Sequence, residues 1–446
     1  MNKKLFLLAA VLALNFSLPA KTFNVLDFGA KGDGATLDTV AVQRAIDAAA
    51  TNGGTVLIPR KKTFLVSTLN LKGGIDFHLD GTLLISTNQN DYASDGVITA
   101  SNAPNLKITG SGKILGRSLS FMTNYDAPNE WWLFKEWRPK MFVLTGCTNL
   151  VVRDLTFDDA PFWGLHMLGC VHVLVDNVTV NNRLDVPNDD GIDPDHCRDV
   201  EIKNCHLICG DDAIVLKSTR QTNDFGDCAF IHVHDCVIRT QDAGLKIGTE
   251  TVGNIHDVLF EHCKILQSSR GLCIQLRDEG EVSNIIFRDI KFVSCFHGDP
   301  WWGRGEAISF TAIPRTPTTM LGRLHDLTVE NVSGRAENSI RVNGTAQSRI
   351  ENVRFKNVAV NFARWTKYPG GVYDNRPTKV LTPIEPHAAD GFNLRHAGNV
   401  SLDHCTVGWQ ENGAAHFGES VSTEDVSGLW LSGFAGDSAA HSVPQR

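Results

Sequence analysis

Three aspartates, Asp190, Asp211 and Asp212, carry the chemistry that this sequence offers. Asp190 opens the segment Asp190-Gly-Ile-Asp-Pro-Asp195, and Asp212, with Asp211 just before it, opens Asp212-Ala-Ile-Val-Leu-Lys217. Carboxylates held at close range repel one another, so at least one pKa rises and one carboxyl stays protonated near neutrality. A protonated carboxyl beside ionised ones is a general acid beside a general base. Cleavage of a glycosidic bond needs that pairing: one group protonates the leaving oxygen while the others activate water. Two blander readings compete. The run Asn188–Asp195 is rich in oxygens that a hard cation such as calcium favours, but it lacks the twelve-residue loop with a terminal Glu. Aspartates also form turns. That accounts for Asp189 and Asp195, but not for Gly210-Asp-Asp212 opening a strand in the same way as Asp190.

The elements that must position these residues form a repeat. Alternating apolar residues followed by Asp, Asn or His recur at Asn149–Phe157, Val173–Val180, Val200–Leu207, Ile231–Ile238, Val258–Ile265 and Ile285–Phe292, and again to Val400–Val407. The markers Asp154, Asn177, Asn204, Asp235, His262 and Asp289 fall 23, 27, 31, 27 and 27 residues apart. Period-2 alternation predicts strands, and a period in this range predicts stacked units. No helical pattern separates the strands, which disfavours a doubly wound sheet; a β-propeller blade has a longer period. The expectation is an all-β, single-stranded, right-handed parallel β-helix.

A second strand recurs in each coil: Trp163–Leu168, Asp190–Asp195, Asp212–Lys217, Ala243–Gly248, Arg270–Gln275, Glu306–Thr311 and Asn338–Asn343. Its third position is always Leu or Ile and its fifth is apolar or Pro, so these two point inward and the second, fourth and sixth outward. The second is always Gly, Ala or Ser, which predicts a low surface. The first position then reads Trp163, Asp190, Asp212, Ala243, Arg270, Glu306, Asn338 along the stack, and the fourth reads His166, Asp193, Val215, Lys246, Cys273, Ser309, Arg341. Columns of opposite charge flanked by small residues predict a cleft floor. Because stacked strands lie about 4.8 Å apart, Asp190 and Asp212 should be close neighbours with Asp211 beside them.

The same columns nominate binding groups. Lys217, Lys246, Arg270 and Arg341 are candidate cations for a substrate carboxylate, with Glu306 in the first column and Glu250 as a hydrogen-bonding group for a sugar hydroxyl. The structural alternative for each is a solvated charge or local ion pair. Trp301 and Trp302 suit stacking on a sugar ring, unless one of them simply packs on the coil; Trp131 and Trp132 sit in another long insertion and could wall the opposite side.

The ends and the bulk numbers fill in the rest. Met1–Ala20 has the Lys3-Lys4 start, apolar run and small terminal residue of a signal peptide, too short to span a bilayer, so a secreted (periplasmic or extracellular) protein without a membrane anchor is expected. Residues 21–446 form one catalytic domain, with about 21–72 as an N-terminal cap region. There, Asp38 caps a helix with Val42, Ala45, Ile46 and Ala49 on one face, ended by Asn52-Gly53-Gly54. A net charge of −8 argues against non-specific nucleic-acid binding. The 11 cysteines are an odd number, and Cys205, Cys236, Cys263 and Cys405 share one position of the repeat, which predicts a column of buried thiols with some pairing left open. No zinc spacing occurs. Neither a metal nor a cofactor is expected, and the chain is expected to be a monomer acting on a polysaccharide or oligosaccharide.

The sequence resembles the polygalacturonase family, glycoside hydrolase family 28, across nearly all of its mature length. The opening FNVLDFGAKGDG…AIDAA resembles the family's N-terminal cap, and PFWGLH, NDDGID and GDDAIVLKS resemble its core motifs. The resemblance implies hydrolysis with inversion, with Asp211 as general acid and Asp190 and Asp212 positioning and deprotonating the water. It implies no cofactor. The resemblance is to a divergent, bacterial-type member. The family's polygalacturonases carry Gly-His-Gly where this chain has Ala243-Gly244, and Arg-Ile-Lys, a grip on the galacturonate carboxylate, where it has Cys273-Ile274-Gln275. That weakens the case for plain homogalacturonan and favours a pectin-like or other uronate- or rhamnose-containing substrate. Two other classes stay open at this point: a β-helix polysaccharide lyase, and a non-catalytic glycan-binding solenoid. The long insertions at 117–140 and 364–393 are placed to close one end of a cleft.

Overall fold

The computed structural model describes residues 21–410 and 416–439; the segment read as a signal peptide lies outside the described residues. The chain winds as a right-handed parallel β-helix. Its register is regular from coil to coil: Val173, Val200, Ile231, Val258, Ile285, Leu327, Val353, Val400 and Leu429 pair in sequence along one ladder. Inside, like stacks on like. Phe260, Phe287, Phe310 and Phe355 follow one another with ring centroids 4.9, 5.7 and 6.4 Å apart.

Up to Ser294 each coil contributes three strands where the sequence pattern reads two; in the later coils Leu324–Ala336 and Ile350–Phe362 run through the corner as one strand. The run Asn149–Phe157 is split at Asp154 into Thr148–Arg153 and Thr156–Asp158. The marker residues are the split: Asp154, Asn177, Asn204, Asp235, His262 and Asp289 all have φ between 51° and 64°. A left-handed residue turns the chain by a corner without disturbing the inward-outward alternation on either side, so the corner is invisible to hydropathy. Asn and Asp tolerate that conformation better than other non-glycine residues. Their side chains also bond from coil to coil, as Asn177 Nδ2 does to Asp154 Oδ1 at 2.8 Å.

Three other expectations take a different form. The helix Thr39–Asn52 buries Val42, Ala45, Ile46 and Ala49 as read, yet Asp38 does not cap it with its side chain. Its carboxylate instead accepts from the backbone N–H groups of Lys31 and Gly32, at 2.7 and 2.9 Å, and so ties down the Gly-rich turn. The small second position does not serve a low outer surface. A Cβ on Gly191 would collide with the Ala213 carbonyl and lie 2.8 Å from Leu207 inside the coil, and one on Gly271 would meet Phe292 at 3.0 Å; the crowding is interior. All eleven cysteines are free and buried. Cys205, Cys236 and Cys263 each donate to the carbonyl two residues back, at 3.2 Å.

Candidate active site

The strands Ile192–Asp195, Ile214–Ser218 and Ala243–Thr251 lie side by side in what is here called the cleft sheet. The corner before each strand holds the acids. Gly164 N–H donates to the Asp190 carbonyl at 2.8 Å and Gly191 N–H to the Asp212 carbonyl at 2.9 Å, so Trp163, Asp190 and Asp212 stand at one corner of successive coils. One carboxylate oxygen from each of Asp190, Asp211 and Asp212 lies within 4.8 Å of the other two, and all three side chains are buried. Asp189 fixes the neighbouring turn: its Oδ1 accepts from Gly210 N–H at 2.6 Å and Asp211 N–H at 3.0 Å. Asp211 in turn accepts from Asp212 N–H at 2.9 Å and from Asn188 N–H at 3.0 Å.

Electrostatics separates the three. Burial, reinforced by the charges of Asp190 and Asp212, pushes the Asp211 carboxyl up to about 8. Burial and then Asp193 raise Asp190 well above the ordinary range, partly offset by Lys217, whose Nζ is 3.5 Å away. Asp212 Oδ2 instead faces Lys246 Nζ at 2.6 Å. The trio has the oxygens to hold a metal ion, but Lys217 and Lys246 already bring ammonium groups against two of its members, and a cation there meets charge of its own sign.

The candidate binding residues divide. The cleft around the trio holds about 250 Å³ and is lined by Lys217, Lys246, Glu250, Arg270 and Trp302. Lys217 also reaches Glu250 at 3.6 Å and Asp193 at 3.7 Å. Burial works against ionisation of Glu250, but Lys217, Thr249 and Arg315 outweigh it and hold its carboxyl down at about 2. Arg270 is pinned between Asp242 at 3.3 Å and Asp374 at 3.2 Å.

Three candidates do not line the cleft. Arg341 is buried beneath the 372–386 hairpin, donating to Asn375 Oδ1 at 2.7 Å and lying 4.2 Å above the Tyr373 ring. Glu306 is fully buried and accepts from Arg304 N–H at 2.6 Å. Trp301 is fully buried, edge-on to Trp131 at 4.5 Å, with its indole N–H on the Asn129 carbonyl. For Arg341 and Glu306 the strand phase is as read, with the 372–386 hairpin covering Arg341; Trp301 lies in the loop before the strand Glu306–Ala312. Segments outside the repeat also supply cleft residues, Arg315 and Arg376, while Asn188 and Asp242 come from the corners beside the aspartates. Asp242 could have been found by continuing the column logic one residue back, through Asp189, Asp211 and Asp242. Arg315 and Arg376 left no such signal.

Comparison with known proteins agrees with this architecture. A family model described as "Glycosyl hydrolases family 28" matches residues 49–368. A probable polygalacturonase of Vitis vinifera is 25% identical over 387 residues, covering 79% of this chain and 76% of its own length. An exopolygalacturonase of Zea mays is 27% identical over 357 residues, covering 70% and 84%. Among solved structures, an exopolygalacturonase of Thermotoga maritima superposes with a TM-score of 0.67 at 19% identity, over 88% of this chain and 92% of the other, a likeness of fold. The chain belongs to glycosyl hydrolases family 28 and is a glycoside hydrolase.

Proposed function

We propose that this enzyme hydrolyses, with inversion, the glycosidic bonds of a pectin-like polysaccharide containing uronate or rhamnose, and that it does so outside the cytoplasm. The observation that carries the reading is the convergence of Asp190, Asp211 and Asp212 within 4.8 Å, with Asp211 protonated to about pH 8. Asp211 donates its proton to the leaving glycosidic oxygen as the bond to the anomeric carbon breaks. A water oxygen forms the new bond to that carbon, and its proton passes to a carboxylate. Asp190 takes the role of base: Lys217 Nζ, 3.5 Å away, opposes the burial and the Asp193 charge that raise its pKa, and so favours its ionised form. Asp212, tied to Lys246 at 2.6 Å, orients the water and balances charge.

The lining of the cleft supports this substrate class. The residues at the place of the family's carboxylate grip, Cys273 and Gln275, are both buried, and Gln275 donates to the Arg376 carbonyl at 3.3 Å. The cations that line the cleft are engaged by protein carboxylates. Lys217, Lys246 and Arg315 remain within reach of a sugar, and Trp302 offers a ring face. A backbone that mixes uronate with neutral sugar suits this lining better than a uniform uronate chain.

One observation favours a second reading, retention with a carboxylate nucleophile: oxygens within 4.8 Å are nearer the about 5 Å spacing of a retaining pair than the wider spacing of an inverting one. The lysine contacts argue the other way, since a carboxylate clamped at 2.6 Å by an ammonium is a poor nucleophile. NMR of the first-formed anomer on defined pectic oligosaccharides decides it. Inverted product is expected; retained product overturns the inverting assignment, and no release of reducing ends from any pectic chain overturns the reading as a whole.

A further inference from the structure

The groove on the cleft sheet does not run through. Every residue of Arg270–Leu276, Glu306–Ala312 and Asn338–Asn343, the three successive cleft-sheet strands beyond Lys246, is buried. Residues 372–378 cover them. Tyr373 donates to Ser339 Oγ at 2.7 Å, Arg341 to Asn375 Oδ1 at 2.7 Å, and Gln275 to the Arg376 carbonyl at 3.3 Å. The cover is held by charge as well as by hydrogen bonds. Asp374 takes three bonds from Arg376, two from its guanidinium at 2.9 and 2.8 Å and one from its backbone N–H at 2.9 Å, one from Gly303 N–H at 2.8 Å, and an ion pair with Arg270 at 3.2 Å. Burial opposes its ionisation, and the arginines still hold its carboxyl well below the usual range.

A second insertion closes the side. Arg376 Nη2 donates to the Trp301 carbonyl at 2.6 Å, and Trp301 and Trp302 pack on Trp131 of the hairpin formed by Met122–Asp126 and Trp131–Phe134, at 4.5 and 5.8 Å. Lys367 reaches across to Glu130 of the same hairpin at 2.9 Å. The cleft that remains holds about 250 Å³, below the roughly 300 Å³ at which pockets for larger ligands begin. Its rim at the opposite end is formed by Trp163 and Asn188, both only half-buried.

We propose that this enzyme works from chain ends. The terminal sugar enters past Trp163 and Asn188, is stopped by the cover at Arg376 and Pro377, and is cut where the three aspartates meet it. The rest of the chain stays outside the rim. The proposal rests on the hydrolase reading above and adds the mode of attack to it.

The test uses pectic oligosaccharides of defined length, each labelled at one end or the other, with products resolved from the first turnovers. End attack releases one short product of constant length and leaves a chain shortened by that step, with no mid-length fragments. A label at the end that enters the cleft slows release by at least about tenfold, and a label at the other end does not. On the polymer, viscosity falls slowly relative to reducing ends formed. Mid-length fragments at the earliest times, or a fast loss of viscosity, overturn end attack while leaving the hydrolase reading intact. Absence of any cleavage overturns both.

Discussion

Lys246 Nζ lies 2.6 Å from Asp212 Oδ2 and 3.7 Å from Asp242 Oδ2. Lys246 sits on the strand Ala243–Thr251, three residues beyond the alanine found where family polygalacturonases carry histidine. This strand therefore still brings a cation to the acids, but of a different kind. An imidazole titrates near pH 6.5. The Lys246 ammonium is buried, which lowers its pKa, yet the carboxylates of Asp212 and Asp242 outweigh that and raise it further above its ordinary value. The charge stays fixed across the working range.

Replacing that charge tests its role. Lys246 holds down the pKa of both Asp190 and Asp211. Lys246→Met should therefore move both limbs of the kcat/KM profile to higher pH, by about 1 unit, since an opposite charge at this range is worth about that much or more. Lys246→Arg should keep the limbs in place with a lower kcat. Unmoved limbs in the methionine variant, measured on a folded protein, would remove Lys246 from the catalytic electrostatics.

Asp211 makes a prediction on two readouts. As the general acid its loss in Asp211→Asn should reduce kcat by about 10²- to 10⁴-fold without changing the circular dichroism spectrum. In the wild type, activity should fall as pH rises through about 8, where Asp211 gives up its proton. The stability effect has the same sign. The folded state keeps this proton up to about 8 while the unfolded chain releases it near 3.8, so more protons are bound folded than unfolded across that window. Stability contributed by this group therefore declines as pH rises through the window. The asparagine variant should lose less melting temperature than the wild type between about pH 5 and about pH 9. An equal loss in both proteins counts against a raised Asp211.

Much of this site is legible in the sequence, for a physical reason. An inward Leu or Ile at the third position of every cleft strand fixes the phase, and a fixed phase puts Asp190 above Asp212 in a parallel stack. The phase does not say what lies on top. Glu306 and Arg341 occupy the columns read for them, but the 372–386 hairpin buries Arg341, and the Arg304 backbone engages Glu306. Arg315, Asp374 and Arg376 come from segments with no period, where side-chain position depends on tertiary contacts alone. The corners were missed for the opposite reason: Asp154 and Asn177 were visible as a column, but hydropathy carries no information on φ.

Those corners give a stability prediction. Asn177 has φ of 54° and donates to Asp154 Oδ1 at 2.8 Å. Asn177→Gly removes the hydrogen bond but fits the backbone. Asn177→Val removes it and forces a β-branched residue into the left-handed region, adding about 1–2 kcal/mol. Denaturant unfolding should rank wild type, glycine and valine in that order. A valine variant as stable as the glycine one contradicts the corner geometry.

The thiols offer a separate check on the interior. Eleven free, buried cysteines should be inert to an aromatic disulfide reagent in native buffer and all react once the chain is unfolded. Reductant should leave the melting temperature unchanged. A shortfall in the unfolded count, recovered by reductant, means that disulfides form.

Adjacent tryptophans 301 and 302 should behave differently despite their identical chemistry. Trp301 is fully buried, wedged against Trp131 at 4.5 Å and bonded to the Asn129 carbonyl at 3.2 Å. Truncating such a ring leaves a cavity and an unpaired carbonyl, so Trp301→Ala should destabilise the wall by about 3–5 kcal/mol. Trp302 is half-buried, lines the cleft, and passes its carbonyl to Ser269 Oγ through backbone that any residue provides. Trp302→Ala should leave the melting temperature within a few degrees and raise KM about tenfold, because a ring face against a sugar contributes to binding more than to folding. Trp302→Phe should recover most of that KM. If the alanine variant binds substrate as tightly as the wild type, Trp302 is only part of the wall and the terminal sugar is held by the polar groups around Lys217 and Glu250 alone.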